Sequence, residues 1–335
     1  MTISDIAERA GVSIGAVSFA LNGRKGVSES TRARVLAVAD ELGWAPASAA
    51  RSLAEARTET IGLVLARDPR NLGVESFYMR FFAGVELVLG ERGYGLLLQI
   101  VPGVDEELAT IRKWRNARRI DGLLLVDLRV GDPRVDLALE SPSLPTVVVG
   151  HASVARGLMS VGTDDDLAAR TAVRHLVALG HRRIARVSGP EAQAHTVIRD
   201  AALRDELDRV GGEATVLRTD FTPEAGAAAT RRALAAAERP TAIVYDNDVM
   251  AVAGLAAIVE LDLEVPGDVS IVAWDDSVLC EHTLPRLTAL RHDVVEYGAH
   301  AARRLFELID GGEPGAHLEP PLELVVRGST AAPRA

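Results

Sequence analysis

The stretch Thr2–Asn22, TISDIAERAGVSIGAVSFALN, decides how the chain is read. Thr2 stands before an apolar-periodic run with Asp5 three residues on, the arrangement of a capping box. Ile3, Ile6, Ala7 and Ala10 recur at helical spacing. Gly11 ends the run, because glycine enters the left-handed region that closes a helix without steric cost. Val12 fills the turn and Ser13 caps a second helix over Ile14–Leu21, with Ala16, Val17, Ala20 and Leu21 as its inward stripe. Two short helices across a tight turn make a helix-turn-helix, although a generic pair of core helices fits this pattern too.

The residues that follow narrow the choice. Asn22-Gly23 breaks the second helix, and Ser28 offers a cap for a third over Thr31–Leu42, with Val35, Leu36, Val38, Ala39 and Leu42 as its apolar face and Gly43 as its stop. A three-helix unit this small has one evident use for its second helix, lying in the major groove of DNA.

Four pieces then stand in order: DIAERAGVS (Asp5–Ser13), VSFALN (Val17–Asn22), VSESTRARV (Val27–Val35) and ARSL (Ala50–Leu53). Together they resemble the headpiece of the LacI/GalR family of bacterial transcription regulators, and the resemblance extends over nearly all of the chain. It implies an α/β protein: a small all-α helix-turn-helix headpiece at 1–46, a hinge helix or linker at 47–58, and an effector-binding and dimerisation domain at 59–335. That domain is expected to be a two-lobed, doubly wound, periplasmic-binding-protein-like structure crossed three times by the chain. Its first lobe would hold about 59–160 and 291–335, the second about 161–290.

The resemblance also assigns roles. Ile14, Gly15 and Phe19 match the family's base-reading positions on the recognition helix, which also presents Ala16. Thr2, Ser13, Ser18, Asn22, Ser28 and Thr31 match phosphate-holding positions; Arg24, Lys25, Arg32 and Arg51 are further phosphate candidates. Leu53 matches a leucine that wedges into the minor groove, a known way to kink a duplex. The hydroxyls read equally well as helix caps. The reader positions depart from the family: none of Ile14, Gly15 and Phe19 can hydrogen-bond a base through its side chain. Ile14 and Phe19 can pack on thymine methyls, and Gly15 admits close backbone approach, so readout is expected to lean on DNA shape.

The chain has 335 residues, 48% hydrophobic and 25% charged, with net charge −10. A surface this acidic argues against coating nucleic acid throughout. Residues 1–58 hold 7 Lys+Arg against 6 Asp+Glu, so DNA affinity must rest on geometry and on two copies per site. No apolar run reaches membrane-spanning length and the start lacks a signal peptide, which fits a cytoplasmic protein with no membrane partner. The lone Cys280 cannot form an internal disulfide and reads as a packed residue.

From Thr60 the pattern changes. The apolar run Ile61–Ala66 suits a fully buried parallel strand, and strands then alternate with helices. Strands are predicted over Gly95–Val101, Gly122–Val126 and Thr146–Gly150, then Arg183–Val187, Ala214–Thr219, Ala242–Tyr245 and Ser270–Trp274. Such alternation implies parallel sheets that bind ligands at the carboxyl ends of their strands. An extended tail, Leu322–Val326, closes the chain. DNDVMA (Asp246–Ala251) resembles the family's A-N-D-x-M-A, and VAWDD (Val272–Asp276) its V-x-[GA]-[FYW]-D-D. By that resemblance Asn247 and Asp275 bind an effector, with Trp274 beside them. Arg199 matches an arginine reaching into the cleft, although Ala202 and Leu203 replace the usual glycine and aromatic. Phe77 and Tyr78 match an aromatic pair. Asp127 and His292 join from strand-end position alone. Carboxylate, amide and guanidinium groups with aromatic faces suit a sugar.

Asp164-Asp165-Asp166 invites a metal reading, but carboxylates at a helix start are better explained as caps. There is no GxGxxG after a strand, no GxxxxGK[ST], no GxSxG and no HExxH, so the chain does not read as an enzyme and needs no cofactor. The resemblance implies a homodimer on a near-palindromic operator, a regulator and by family default a repressor, controlled by a small molecule, a sugar.

Overall fold

The computed structural model describes residues 2–21, 25–44, 57–67, 73 and 75–334. Two compact units emerge, Met1–Thr58 and Glu59–Ala335. The first contains α1 (Ile3–Ala10), α2 (Ile14–Leu21) and α3 (Glu29–Glu41). The expected local chemistry is present. The Asp5 carboxylate accepts the Thr2 N–H at 2.7 Å, Gly11 is left-handed at φ 64°, and Ser13 Oγ accepts the Ala16 N–H at 3.2 Å. The third helix begins two residues before Thr31, because Ser28 caps it at the Thr31 N–H. Ile6, Ala7, Ala10, Val17, Ala20, Val35 and Ala39 form its core. Asn22, Arg24, Arg51 and Leu53, with most of the hinge expected at 47–58, lie outside the described residues.

The second unit carries two six-stranded sheets. The first contains β1 (Thr60–Ala66), β2 (Gly95–Val101), β3 (Gly122–Leu125), β4 (Thr146–Val149), β5 (Met159–Gly162) and β11 (Ala316–Leu318), in the order β11-β5-β4-β3-β1-β2. The second contains β6 (Arg183–Ser188), β7 (Glu213–Arg218), β8 (Ala242–Tyr245), β9 (Ser270–Trp274), β10 (Thr288–Arg291) and β12 (Glu323–Val325), in the order β12-β10-β9-β8-β6-β7. All pairings are parallel except that of β10 with β12. Helices cover both sheets, which is why their strands read as unbroken apolar runs. Around the first lie α4 (Ser76–Glu91), α5 (Val104–Asn116), α6 (Pro133–Leu139) and the single turn α7 (Ala152–Ala155). Around the second lie α8 (Asp165–Ala178), α9 (Ala194–Asp208), α10 (Pro223–Leu234), α11 (Asp248–Glu260) and the single turn α12 (Val278–Glu281).

The chain crosses between sheets after β5, after β10 and after β11. The long helix α13 (Val294–Ile309) returns to the first sheet and packs along α4. The tail departs from expectation. Residues 291–335 do not all join the first lobe: Glu323–Val325 pairs with Thr288–Arg291, and Leu322 packs among second-lobe residues. Beyond it, Ser329 Oγ donates to the Ile271 carbonyl at 2.7 Å and accepts the Thr288 N–H at 2.8 Å. The open edge of β10 needs a partner for its backbone groups, and the tail supplies it.

The contact of α4 with α13 rests on absent side chains. A Cβ at Gly84 would fall inside the Val295 carbonyl oxygen, and one at Gly298 inside that of Phe81. Gly84→Ala is expected to cost about 1–3 kcal/mol by overpacking. Gly90, with nothing within 4 Å of its missing Cβ, should instead gain about 0.5–1 kcal/mol as alanine. Urea unfolding of both variants checks the pair; equal midpoints would refute the close helix crossing.

Candidate functional site

The carboxyl ends of both sheets open onto one cleft, with about 980 Å³ of empty space reckoned out to bulk solvent. Phe77, Tyr78, Asp127, Arg199, Asn247, Trp274, Asp275 and His292 all line it. Asp127 follows β3, Asp275 follows β9 and Phe221 follows β7, each left-handed at φ 52°, 64° and 70°. For residues with a side chain this backbone costs on the order of 1–3 kcal/mol, and it turns each one out of its strand toward the cleft.

Arg199 is held rather than free. Its Nε donates to the Asp165 carboxylate at 2.7 Å, Nη1 lies 3.4 Å from Asp246, and its guanidinium carbon sits 3.5 Å from the centre of the Trp274 ring. Trp274 is 3% exposed, so it serves as a platform under Arg199 more than as an open stacking face. Asp246 accepts from the buried Arg186 and from the Gly189 N–H. Burial opposes its ionisation, but Arg186 and Arg199 hold its carboxyl far below the usual carboxylate range. Asn247 caps α11 through the Met250 N–H at 2.8 Å and donates to the Phe221 carbonyl at 3.2 Å. One Nδ2 hydrogen remains beyond those two bonds.

On the first lobe Tyr78 donates its hydroxyl to Asp127, and Arg67 Nη2 lies 3.1 Å from the same carboxylate. Burial pushes Asp127 up, yet Arg67, His195 and the Tyr78 bond bring it below its ordinary value. Burial, then the Asp127 charge, raises the Tyr78 phenol well above its own. His292 Nε2 is 3.1 Å from Asp275, and its ring stacks near Phe77. Beyond that ring contact, further contacts among the described residues join the lobes across the cleft. Arg67 covers the Phe221 ring, Ser76 Oγ is 3.5 Å from Asp248, and Leu128 and Val130 exchange backbone bonds with Ala194 and Ala192.

Sequence reasoning missed Arg67, Glu75, Asp165, Asp246, Asp248 and Phe221, which also line the cleft. Asp246 and Asp248 flank Asn247 within the DND motif, and that adjacency was the available signal. In the acidic triplet Asp164 caps the Leu167 N–H at 2.9 Å, whereas Asp165 turns to Arg199. Cys280 is fully buried, and burial pushes its thiol up to about 12, which makes it a poor nucleophile.

On the headpiece unit Ile14 is 56% and Phe19 40% exposed on α2. Ala16 and Ser18 are half-buried, Thr2, Gly15 and Ser28 exposed, and Thr31 half-buried. A Cβ at Gly15 would meet only Ser13 Oγ at 3.9 Å, so no packing within the unit demands glycine there.

Residues 2–47 match the family of bacterial regulatory proteins, lacI family, and 173–330 match a periplasmic binding protein-like domain. The HTH-type transcriptional regulator CelR of Thermobifida fusca is 34% identical over 92% of both chains. A solved transcriptional regulator CelR–cellobiose complex superimposes with TM-score 0.75 at 32% identity, covering 98% of this chain and 99% of that one. The lac repressor dimer bound to operator and the anti-inducer ONPF does so with TM-score 0.86 at 28% identity, covering 99% of both. A helix-turn-helix unit joined in one chain to a two-lobed cleft defines a DNA-binding transcriptional regulator. The chain belongs to the lacI family of bacterial regulatory proteins, whose members are regulators and not enzymes.

Glu75 offers a direct check on the cleft. Burial lifts its carboxyl to about 7, against the opposing pull of Arg67 and with help from Asp127, Asp275 and Asp248. The folded state therefore binds an extra proton between about pH 4.5 and 7, and the stability this gives is lost as pH rises through about 7. Glu75→Gln should exceed the wild type by on the order of 1–3 kcal/mol at pH 8, with the gap closing toward pH 5. Denaturant unfolding at both pH values tests this; a gap independent of pH would mean that Glu75 ionises as it does in water.

Proposed function

We propose that the protein is a repressor. As a homodimer it grips a near-palindromic operator, and its affinity for that DNA is set by a sugar-class molecule bound between the lobes. The observation that carries the reading is the meeting of all eight expected effector residues in one cleft. The relatives' names point the same way: one is a ribose operon repressor of Escherichia coli, and one solved regulator holds cellobiose. Asn247, Asp275, Arg199, Asp127 and His292 supply hydrogen bonds, and Phe77 and Tyr78 an apolar wall. Among the described residues no helix is long and apolar enough to cross a membrane, and we place the protein's action in the cytoplasm with its DNA.

The coupling needs only differential affinity. A ligand that binds one degree of lobe closure better than another shifts the population, and with it the operator-competent state. The cross-cleft contacts of Arg67 with Phe221 and of Ser76 with Asp248 are those that closure makes or breaks. In the headpiece Ile14 and Phe19 meet base edges by apolar contact, Gly15 lets the helix backbone approach, and Thr2, Ser13, Ser18, Asn22, Ser28, Thr31 and Arg51 position phosphates. Leu53 wedges the minor groove.

Three variants test this. Deleting residues 1–58 should abolish the operator footprint and preserve ligand-induced thermal stabilisation, while Asp275→Ala should do the reverse and lose the effector response. A footprint from the truncated protein, or an unchanged titration in the variant, rejects the assignment. Gly15→Ala should leave the headpiece as stable or up to about 1 kcal/mol more stable and weaken operator binding by gel shift. Undiminished binding would remove close backbone approach from the account.

A further inference from the structure

The cleft carries more negative charge than its cations balance. Glu75, Asp127, Asp165, Asp246, Asp248 and Asp275 line it, against the arginines Arg67 and Arg199. The pairs can be assigned. Asp127 has Arg67, Asp165 and Asp246 share Arg199 with Arg186 behind, and Asp275 has His292. Glu75 is left with Arg67 Nε at 3.9 Å, and Asp248 with neutral donors: the Val249 N–H at 2.8 Å, the Ser277 side chain and the Ser76 hydroxyl at 3.5 Å. Glu75 is only 7% exposed, and its Oε1 has no hydrogen-bond partner among the described residues. An orphaned carboxylate oxygen this deep is costly unless something bonds to it.

The two residues come from opposite lobes. Glu75 precedes α4 of the first and Asp248 opens α11 of the second, with Asp275 close enough to press on both. Bringing the lobes together thus brings like charges together in a poorly hydrated corner, which a bound cation relieves. Burial and then the Asp275 charge raise Asp248 to about 6, against the bonds from Ser277 and the Val249 N–H.

Taking the cleft as the effector site, which rests on the function proposed above, we propose that its effector is an amino sugar or a related amine-bearing polyol whose ammonium is held by Glu75, Asp248 and Asp275. An ammonium offers three donors and no acceptor, which suits three carboxylates contributed by two lobes. It makes closure ligand-dependent by charge, since it bridges groups that otherwise repel. A neutral hydroxyl at the same place would leave the excess charge standing.

The test uses the full-length chain and matched probes: glucose with glucosamine and N-acetylglucosamine, galactose with galactosamine, and cellobiose with the β-1,4 dimer of glucosamine. Affinities are read by thermal shift and calorimetry. An amine member is expected to bind about tenfold or more tightly than its neutral partner, to lose that advantage on N-acetylation, and to have the ratio fall toward one in Glu75→Gln and Asp248→Asn. If a neutral member binds as well as its amine, or the ratio survives both substitutions, the ammonium site is overturned and the effector cleft stands. If no member of either kind binds, the sugar-class reading falls and takes this inference with it.

Discussion

Each lobe floors the cleft with one fully buried arginine, and the site depends on these two groups. In the first lobe Arg134 bonds Asp132 and Glu107 and donates to the Asp127 carbonyl at 3.0 Å. In the second, Arg186 bonds Asp200 and Asp246 and donates to the Thr196 carbonyl at 3.1 Å. Both are about 2% exposed. Breaking a buried pair by removing one partner typically costs about 3–5 kcal/mol, because the other charge is left without solvent or counter-ion. The strand-end loops are therefore fixed before any ligand arrives. A chain of charge runs from Arg186 through Asp246 to Arg199 and ends on the Trp274 ring, so the upper groups inherit their positions from the buried one.

The periodicity of the chain carried most of the architecture. Long amphipathic helices and four- to seven-residue apolar strands are legible because burial on two faces leaves a continuous hydrophobic signature. The strands Met159–Gly162, Thr288–Arg291 and Ala316–Leu318 were not legible. Each is four residues or fewer, and MSVG, TALR and AHL carry polar or small residues that only their neighbours in the sheet make into strands. The eight cleft residues came from motif resemblance and strand-end position, not from pattern. The remainder of the lining escaped because its residues act as partners: Asp165 looked like a helix cap, and Arg67 and Glu75 belong to no motif. Which carboxylate meets which arginine is decided by tertiary placement, which one sequence does not encode locally.

The headpiece shows a different economy. Seven buried side chains, four of them alanine or its like in size, hold three helices, and capping bonds at Ser13 and Ser28 occupy hydroxyls that also stand where phosphate contacts are proposed. The outward face of α2 is largely apolar, with Ile14 and Phe19 exposed beside Gly15. Such a surface discriminates poorly by hydrogen bonding and more by fit to groove width and methyl groups. With near-neutral charge in residues 1–58, little affinity can come from counterion release. Occupancy then depends on holding two readers at the right spacing.

The route of the tail has a consequence for how the two halves came to depend on one another. The second sheet is completed only by the last dozen residues: His181 meets the Ala331 carbonyl at 2.9 Å, and Ile271 donates to the Ser329 carbonyl at 2.8 Å. A nascent chain cannot close that sheet until residues 323–331 have been made, although the first sheet's central strands were finished long before. The first lobe waits as well, for α13 against α4 and for β11 at its sheet edge, but both precede the segment that covers the open edge of β10. A chain stopped before residue 323 would leave β10 with an unpaired edge, a template for strand addition by another chain.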